Sequence, residues 1–395
     1  MADDPPKDLV RAVAYGSAVF VVGAGISRAA AKTPLWSDFL TTCIQFLADQ
    51  GAHVPALDCV PCLLAANEYE IAAQVIQKSL DRIGGAAQLL HEQFHRQGTQ
   101  IESPAVLDAL WRLNHHLQLT TNYDRLLEMR GPAGVETVTW QEPMKMWSAL
   151  KAHPVATGVP AVIHMHGVYN DPQTVVYSVS DYTTLNQEPS YLAFAQSLWT
   201  NYTLVFVGAS PFGIGDMDFS RLFEWGRRVA PFQAFPSYTL QRSGSVANEQ
   251  RETLYREYKV RVVEYGDFAE LASYLVRLRS EADQLIQTTT GAIPQLGPLA
   301  LYQLVTKLVA IRSINDGAVR QGLVSRLPKN IQDQITSRDP STPADLDIAN
   351  ILGASMTDAV GLRTFVDLVR EAEGDTGERH GLDEALGQLF PGLTF

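Results

Sequence analysis

Residues 18–28 read AVFVVGAGISR, a short apolar run that breaks into Gly23-Ala24-Gly25 and then offers the hydroxyl of Ser27. A brief apolar run closed by glycine predicts a strand buried inside a parallel sheet. Glycine at its end carries no Cβ, so the backbone there can approach a ligand closely.

Outward from that strand, further apolar runs alternate with helical patterns as far as about residue 266: LQLTTNYD, AVIHMHG, TVVYSV, TLVFVGAS, SYTLQ and VRVVEYG. Such alternation predicts an α/β, Rossmann-like, doubly wound and mostly parallel sheet with helices on both faces. TPLWSDFLTTCIQFLADQG reads as a helix with Ser37 as N-cap, an apolar face at Phe39, Leu40, Cys43, Ile44 and Leu47, and Gly51 just past its end. QTTTGAIPQLGP at 287–298 has linker composition, and beyond it only helical spacing remains. The expected division is a sheet domain at 1–286, a linker at 287–298 and an all-helical domain at 299–395.

With 395 residues, 46% of them hydrophobic, the chain can build a sizeable core. Its formal charge of −12 disfavours nucleic acid and anionic membranes as partners. No apolar stretch nears twenty residues and the start, MADDPPKDLV, is acidic, so a cytoplasmic protein is expected. Cys43, Cys59 and Cys62 fit a reducing compartment. CVPC has the spacing of a zinc half-site without a second half, and the thiols are read as structural or incidental.

Four strands end in polar residues suited to chemistry: GAGIS, TTNYD, HMHG and VGAS. Ligands gather at the carboxyl ends of strands in open parallel sheets, so these ends are expected to line one crevice. Arg28 stands where a dinucleotide fingerprint has its third glycine, which argues against an ordinary dehydrogenase. The Asn122 amide both donates and accepts, and a histidine such as His166 can take a proton near neutral pH. Each residue also has a plainer role open to it. Asn122 or Asp124 could cap a helix beginning YDRLLE. His164 and His166 share a strand face by the period of two, and His164 is read as the core histidine. His115 and His116 read as surface or packing residues.

Taken together and in this order, the four motifs resemble the sirtuin-like family, in its bacterial branch that breaks down NAD. The resemblance covers roughly residues 10–280. It implies NAD as substrate, with Asn122 and His166 catalytic. It implies NAD contacts from Gly23, Ala24, Gly25, Ser27, Arg28, Trp36, Thr121, Asp124, Gly167, Gly208, Ser210 and Tyr265. TPLWSDF resembles the family's cover loop, and VRVVEYGDFAEL its closing strand and helix near the adenine. Asp216 and Asp218 match acidic positions found after the Gly-x-Ser strand. Deacylases of the family carry two C-x-x-C pairs after the His-Gly motif, whereas no cysteine follows Cys62 here. No metal is therefore expected, and water becomes the expected acceptor. The activity implied is NAD hydrolysis to nicotinamide and ADP-ribose or a cyclic form. ADP-ribosyl transfer, deacylation and non-hydrolytic sensing of NAD or an ADP-ribose derivative are the alternatives, and the choice between NAD and NADP stays open.

LVTKLVAIRSINDGAVRQGLVSRLPKNIQDQI and GLRTFVDLVREAEGD resemble bacterial effector-associated domains, small helical adaptors, chiefly at Arg320, Leu327, Pro328, Gly361, Leu362, Leu368, Glu373 and Gly374. That resemblance implies a homo-oligomer, a partner such as a sensor or NTPase carrying a like domain, and a role in antiphage defence by NAD depletion. A C-terminal oligomerisation bundle is the plainer alternative.

Overall fold

The computed structural model describes residues 3–14, 16–52, 54–96, 100–152, 159–210 and 237–288, then 298–311, 316–327, 329–332, 359–373 and 376–389, with a few isolated positions besides. The described chain falls into two compact units, residues 1–282 and 283–395.

The first unit is built on a seven-stranded parallel sheet in the order β3-β4-β2-β1-β5-β6-β7. Its strands are β1 (Ala18–Val22), β2 (Leu117–Thr120), β3 (Glu136–Thr139), β4 (Ala161–His164), β5 (Thr203–Val207), β6 (Ser237–Arg242) and β7 (Val260–Tyr265). This is the α/β Rossmann-like architecture that the alternating pattern predicts. Because β1 lies between β2 and β5, it is buried along its whole length and reads apolar on both faces. Its Val19 and Val21 pack with Met146 and Leu150 of helix α9 (Pro143–Ala152) and with Phe194 and Leu198 of helix α11 (Pro189–Asn201).

Two elements depart from the sequence reading. TVVYSV is not a strand: Thr174 closes a short 3-10 turn, and Ser178 caps helix α10 (Val179–Leu185), its side chain accepting from Asp181 N. Valines 175 and 176 are apolar because they pack as a buried loop, with Val176 N donating to the carbonyl of His166. The seventh strand is ETVT instead, at the sheet edge and exposed at Glu136.

Between helix α2 (Ala24–Ala31) and helix α7 (Ala105–Leu113) the chain inserts a helical layer. It comprises α3 (Trp36–Asp49), α4 (Val60–Ala65), α5 (Tyr69–Ile83) and α6 (Ala86–Phe94). Helix α3 starts one residue before Ser37, so Leu35 and not Ser37 is its N-cap, and the Asp38 carboxylate accepts from Leu35 N at 3.4 Å. The buried face of α3 is Phe39, Leu40, Cys43 and Leu47, and Ile44 is only partly buried. This layer packs on Tyr123, Val168, Tyr169 and Tyr177, residues of the loops that follow β2 and β4. The insertion thus braces the sheet edge where the polar motifs lie.

Within the described residues, the second unit contains helices only, among them Pro298–Ala310, Gly317–Arg326, Ala359–Glu373 and Gly377–Leu389. They enclose their own core, with Leu308, Leu323, Leu362, Phe365, Val369 and Leu382 nearly inaccessible. Of the adaptor-like positions, Leu327, Leu362 and Leu368 belong to this core, and Arg320 forms a buried ion pair with Asp347 at 2.7 Å. Pro328 and Gly374 lie outside the described residues, as does most of the Thr/Gly/Pro-rich segment at 287–298. The division between the two units falls inside the helix Phe268–Thr288. No helix of the described chain is long and apolar enough to cross a membrane.

Candidate active site

GAGIS, TTNYD, HMHG and VGAS follow β1, β2, β4 and β5, which are four adjacent parallel strands. Parallel direction places all four carboxyl ends on one edge of the sheet.

The turn after β1 starts helix α2, with Gly23 as N-cap. The neighbour that requires glycine here is protein backbone: a Cβ at Gly23 or Gly25 would sit 2.8 or 2.7 Å from the carbonyl oxygen of Gly208. Gly25 N donates to that same carbonyl at 2.8 Å. The glycines thus lock the ends of β1 and β5 together, and Ser27, one turn into the helix, is held buried.

Thr120 ties the end of β2 to the end of β1, its hydroxyl donating to Val22 O at 2.8 Å and accepting from Asn122 N at 3.0 Å. Thr121 N also donates to Val22 O, at 3.2 Å. So anchored, Asn122 is buried and its Nδ2 donates to Ser27 Oγ at 2.8 Å, a bond that spans 95 residues of sequence. Asn122 is not the helix cap. Nor is Asp124: the N-cap of helix α8 (Leu126–Arg130) is Arg125, and the Asp124 carboxylate, one residue earlier, accepts from Leu126 N at 3.1 Å. Burial raises the pKa of Asp124, and hydrogen bonds from Ser27 and the Leu126 amide only partly oppose this.

β4 ends at His164, so the period of two no longer governs His166 and the two rings meet different helices. His166 is buried, with its ring 5.3 Å from that of Tyr182 on α10 at an interplanar angle of 87°. Gly167 has φ +80°, and a Cβ there would run directly into the Thr174 carbonyl, which accepts from Trp140 Nε1 at 2.7 Å. His164 is fully buried, with Nδ1 2.9 Å from Asn122 O and Nε2 3.0 Å from Glu128 Oε1. That Glu128 oxygen also accepts from Thr137 Oγ1 at 2.8 Å. Burial disfavours charge on His164, but the Glu128 carboxylate beside it prevails and raises its pKa. Burial likewise works against the Glu128 carboxylate, and His164 overrides it, so the Glu128 pKa is lowered.

The other expected contacts divide. Arg28 is half exposed and paired with Asp38 at 2.9 Å, so the charge expected to contact NAD is engaged by α3. Trp36 opens α3 and packs between Tyr69 and Tyr182, at 5.7 and 6.4 Å between ring centres. Ala24 and Thr121 sit at the carboxyl edge beside Ser27 and Asn122, and Gly208 and Ser210 follow β5. Tyr265 ends β7, the outermost strand on the far side of β5, and is buried. Asp216 and Asp218 lie outside the described residues. His115 is exposed and His116 partly buried. Cys43 is buried in the insertion core, while Cys59 and Cys62 are exposed. Among the described residues no group of three or more His, Cys, Asp or Glu could hold a metal ion.

Glu128 is the residue that motif reading missed. It stands in none of the four motifs and reaches His164 only through the fold, from helix α8.

Residues 116–263 match the family model of the SIR2-like domain. SIR2-like domains use NAD, and enzymes of the family are NAD-dependent. The match opens just ahead of β2 and closes within β7. It takes in Asn122, Asp124, Glu128, His164, His166 and Gly208, while the glycine turn after β1 precedes it.

Proposed function

We propose that the chain hydrolyses NAD at the nicotinamide–ribose bond. The observation that carries this is the buried Asn122 side chain, fixed on Ser27 at 2.8 Å, with His166 buried at the end of the adjacent strand β4. Cleaving a glycosidic C–N bond develops positive charge on the ribose, so the site must stabilise an oxocarbenium-like centre and hold an acceptor beside it. The Asn122 carboxamide oxygen can face that centre or orient a water while its Nδ2 stays on Ser27. His166 is the group to take a proton from the water or from a ribose hydroxyl. Gly23, Gly25, Ser27 and Gly208 would lie along the dinucleotide at the β1 and β5 ends, where helix α2 presents its amino terminus.

Hydrolysis is favoured over deacylation because no C-x-x-C pair follows the His-Gly motif. The second unit, helical in its described residues and with its own core, suits recruitment or self-assembly. An NAD-consuming enzyme recruited to a partner through such a unit would serve antiphage defence by depletion.

The deciding experiment incubates purified full-length protein with NAD and measures free nicotinamide. Release that depends on Asn122 and His166 supports hydrolysis. Saturable NAD binding with no release, in the oligomeric and monomeric fractions alike, would favour the sensor reading.

A further inference from the structure

A groove of about 550 Å³, which neither Asn122 nor His166 lines, is bounded by His95, Arg96, Arg125, Glu128, Tyr169 and the turn at 131–135. Its size suits a small molecule. In a chain with formal charge −12 the groove gathers two guanidinium groups. Its one carboxylate, Glu128, is already shared by His164, Arg125 and Thr137. Among the described residues Arg96 donates to the neighbouring carbonyl of His95, at 2.8 Å, and pairs with no carboxylate. Arg125 is 39% exposed and keeps donors available beyond its bonds to Glu128 and Thr137.

A wall of rings stands beside these charges. His95 Nδ1 lies 2.8 Å from the Tyr169 hydroxyl, and His95 stacks on His91 with ring centres 4.6 Å apart and 10° between planes. Glu128 keeps one oxygen, Oε2, buried with no hydrogen-bond partner, an acceptor left for a donor. The Glu128 side chain is only 5% exposed.

We propose that this groove is a binding site for a small ribose phosphate, free or as part of a nucleotide. The phosphate lies between Arg96 and Arg125, where planar guanidinium groups bind phosphate oxygens in pairs. The sugar or base lies along the His95–Tyr169 wall, and a hydroxyl donates to Glu128. The site shares Glu128 with the Asn122 network but stands independently of what reaction occurs there.

The test titrates the full-length protein with AMP and with ribose 5-phosphate in a calorimeter. One saturable site is expected for at least one probe, weakened by about tenfold or more in Arg96→Ala and in Arg96→Glu. Arg96 is partly exposed and, among the described residues, bonded only to an adjacent carbonyl, so both variants should melt as the parent does. Arg125→Lys, which keeps the charge and loses the fork, should weaken binding less than Arg96→Glu. Binding should persist in Asn122→Ala, where nicotinamide release is expected to vanish, so the two readings fail separately. Absence of binding by both probes, or binding unchanged in Arg96→Glu, would overturn the proposal.

Discussion

The imidazole of His164 lies between two acceptors, the main-chain carbonyl of Asn122 at 2.9 Å and the carboxylate of Glu128 at 3.0 Å. The Asn122 carbonyl has no proton to give, so Nδ1 carries one, and opposite an ionised Glu128 the Nε2 nitrogen carries the other. The raised pKa of His164 and the lowered one of Glu128 both favour the imidazolium–carboxylate form of the pair. Its consequence is positional: the Nδ1–H of His164 holds the backbone of Asn122 in place.

Truncation and isosteric replacement of Glu128 should therefore differ sharply. Glu128→Ala leaves His164 buried without its counterion and should cost about 3–5 kcal/mol. Glu128→Gln allows a neutral imidazole to donate from Nδ1 to Asn122 and accept at Nε2, and should cost only about 1 kcal/mol. Chemical denaturation of the two variants measures the difference. Equal losses would show that the pair is not ionised.

Stability should also depend on pH with a defined sign. The raised pKa of His164 gives a contribution that is complete below its ordinary value of about 6.5 and lost as pH rises through the folded-state value. The lowered pKa of Glu128 gives one complete above its ordinary value of about 4.5 and lost as pH falls through its folded-state value. The stability gap between the parent and Glu128→Gln should be widest between about pH 4.5 and 6.5 and narrow on the alkaline side. Melting curves of both proteins across pH provide the check. Asp124, raised by burial, lowers stability with rising pH in both proteins and largely cancels in the comparison.

Asn122→Ala and His166→Ala should each reduce nicotinamide release by on the order of 10²-fold or more. Circular dichroism should show both folded, since Ser27 retains Asp124 as a neighbour in the first and the ring of Tyr182 lines the gap in the second. Turnover at the parental rate in either variant would remove that residue from the chemistry.

Gly167→Ala is expected to lose stability by more than about 2 kcal/mol, because φ +80° is strained for alanine and the methyl would strike the Thr174 carbonyl. Thermal melting reads this directly. A melting point within one degree of the parent's would contradict the packing described.

The sheet was legible where strands are buried and apolar, as at β1 and β5, because burial on both faces leaves an unbroken aliphatic run. It was illegible at β3, where an edge position lets glutamate and threonine face outward. The loop at Val175–Val176 gave the opposite error, being apolar for packing and not for pairing. At the site, short polar motifs carried Asn122 and His166, whereas Glu128 joined them only through the fold, 36 residues from His164 in sequence. The same holds for Arg28, whose engagement by Asp38 depends on where α3 begins.

The Ser27–Asn122 bond has a consequence in time. β1 is complete at residue 22, but its neighbours β2 and β5 begin only at residues 117 and 203. At ribosomal rates of about 5–20 residues per second, the apolar strand waits on the order of ten seconds for its first partner and longer for its second. Through that interval AVFVV is exposed with both edges open, a segment prone to pair with the wrong chain. The helix Lys7–Ala14, which contacts β1, is already made by then and leaves both of its edges open. Yield on expression should accordingly respond to chaperones and temperature more than equilibrium stability would suggest.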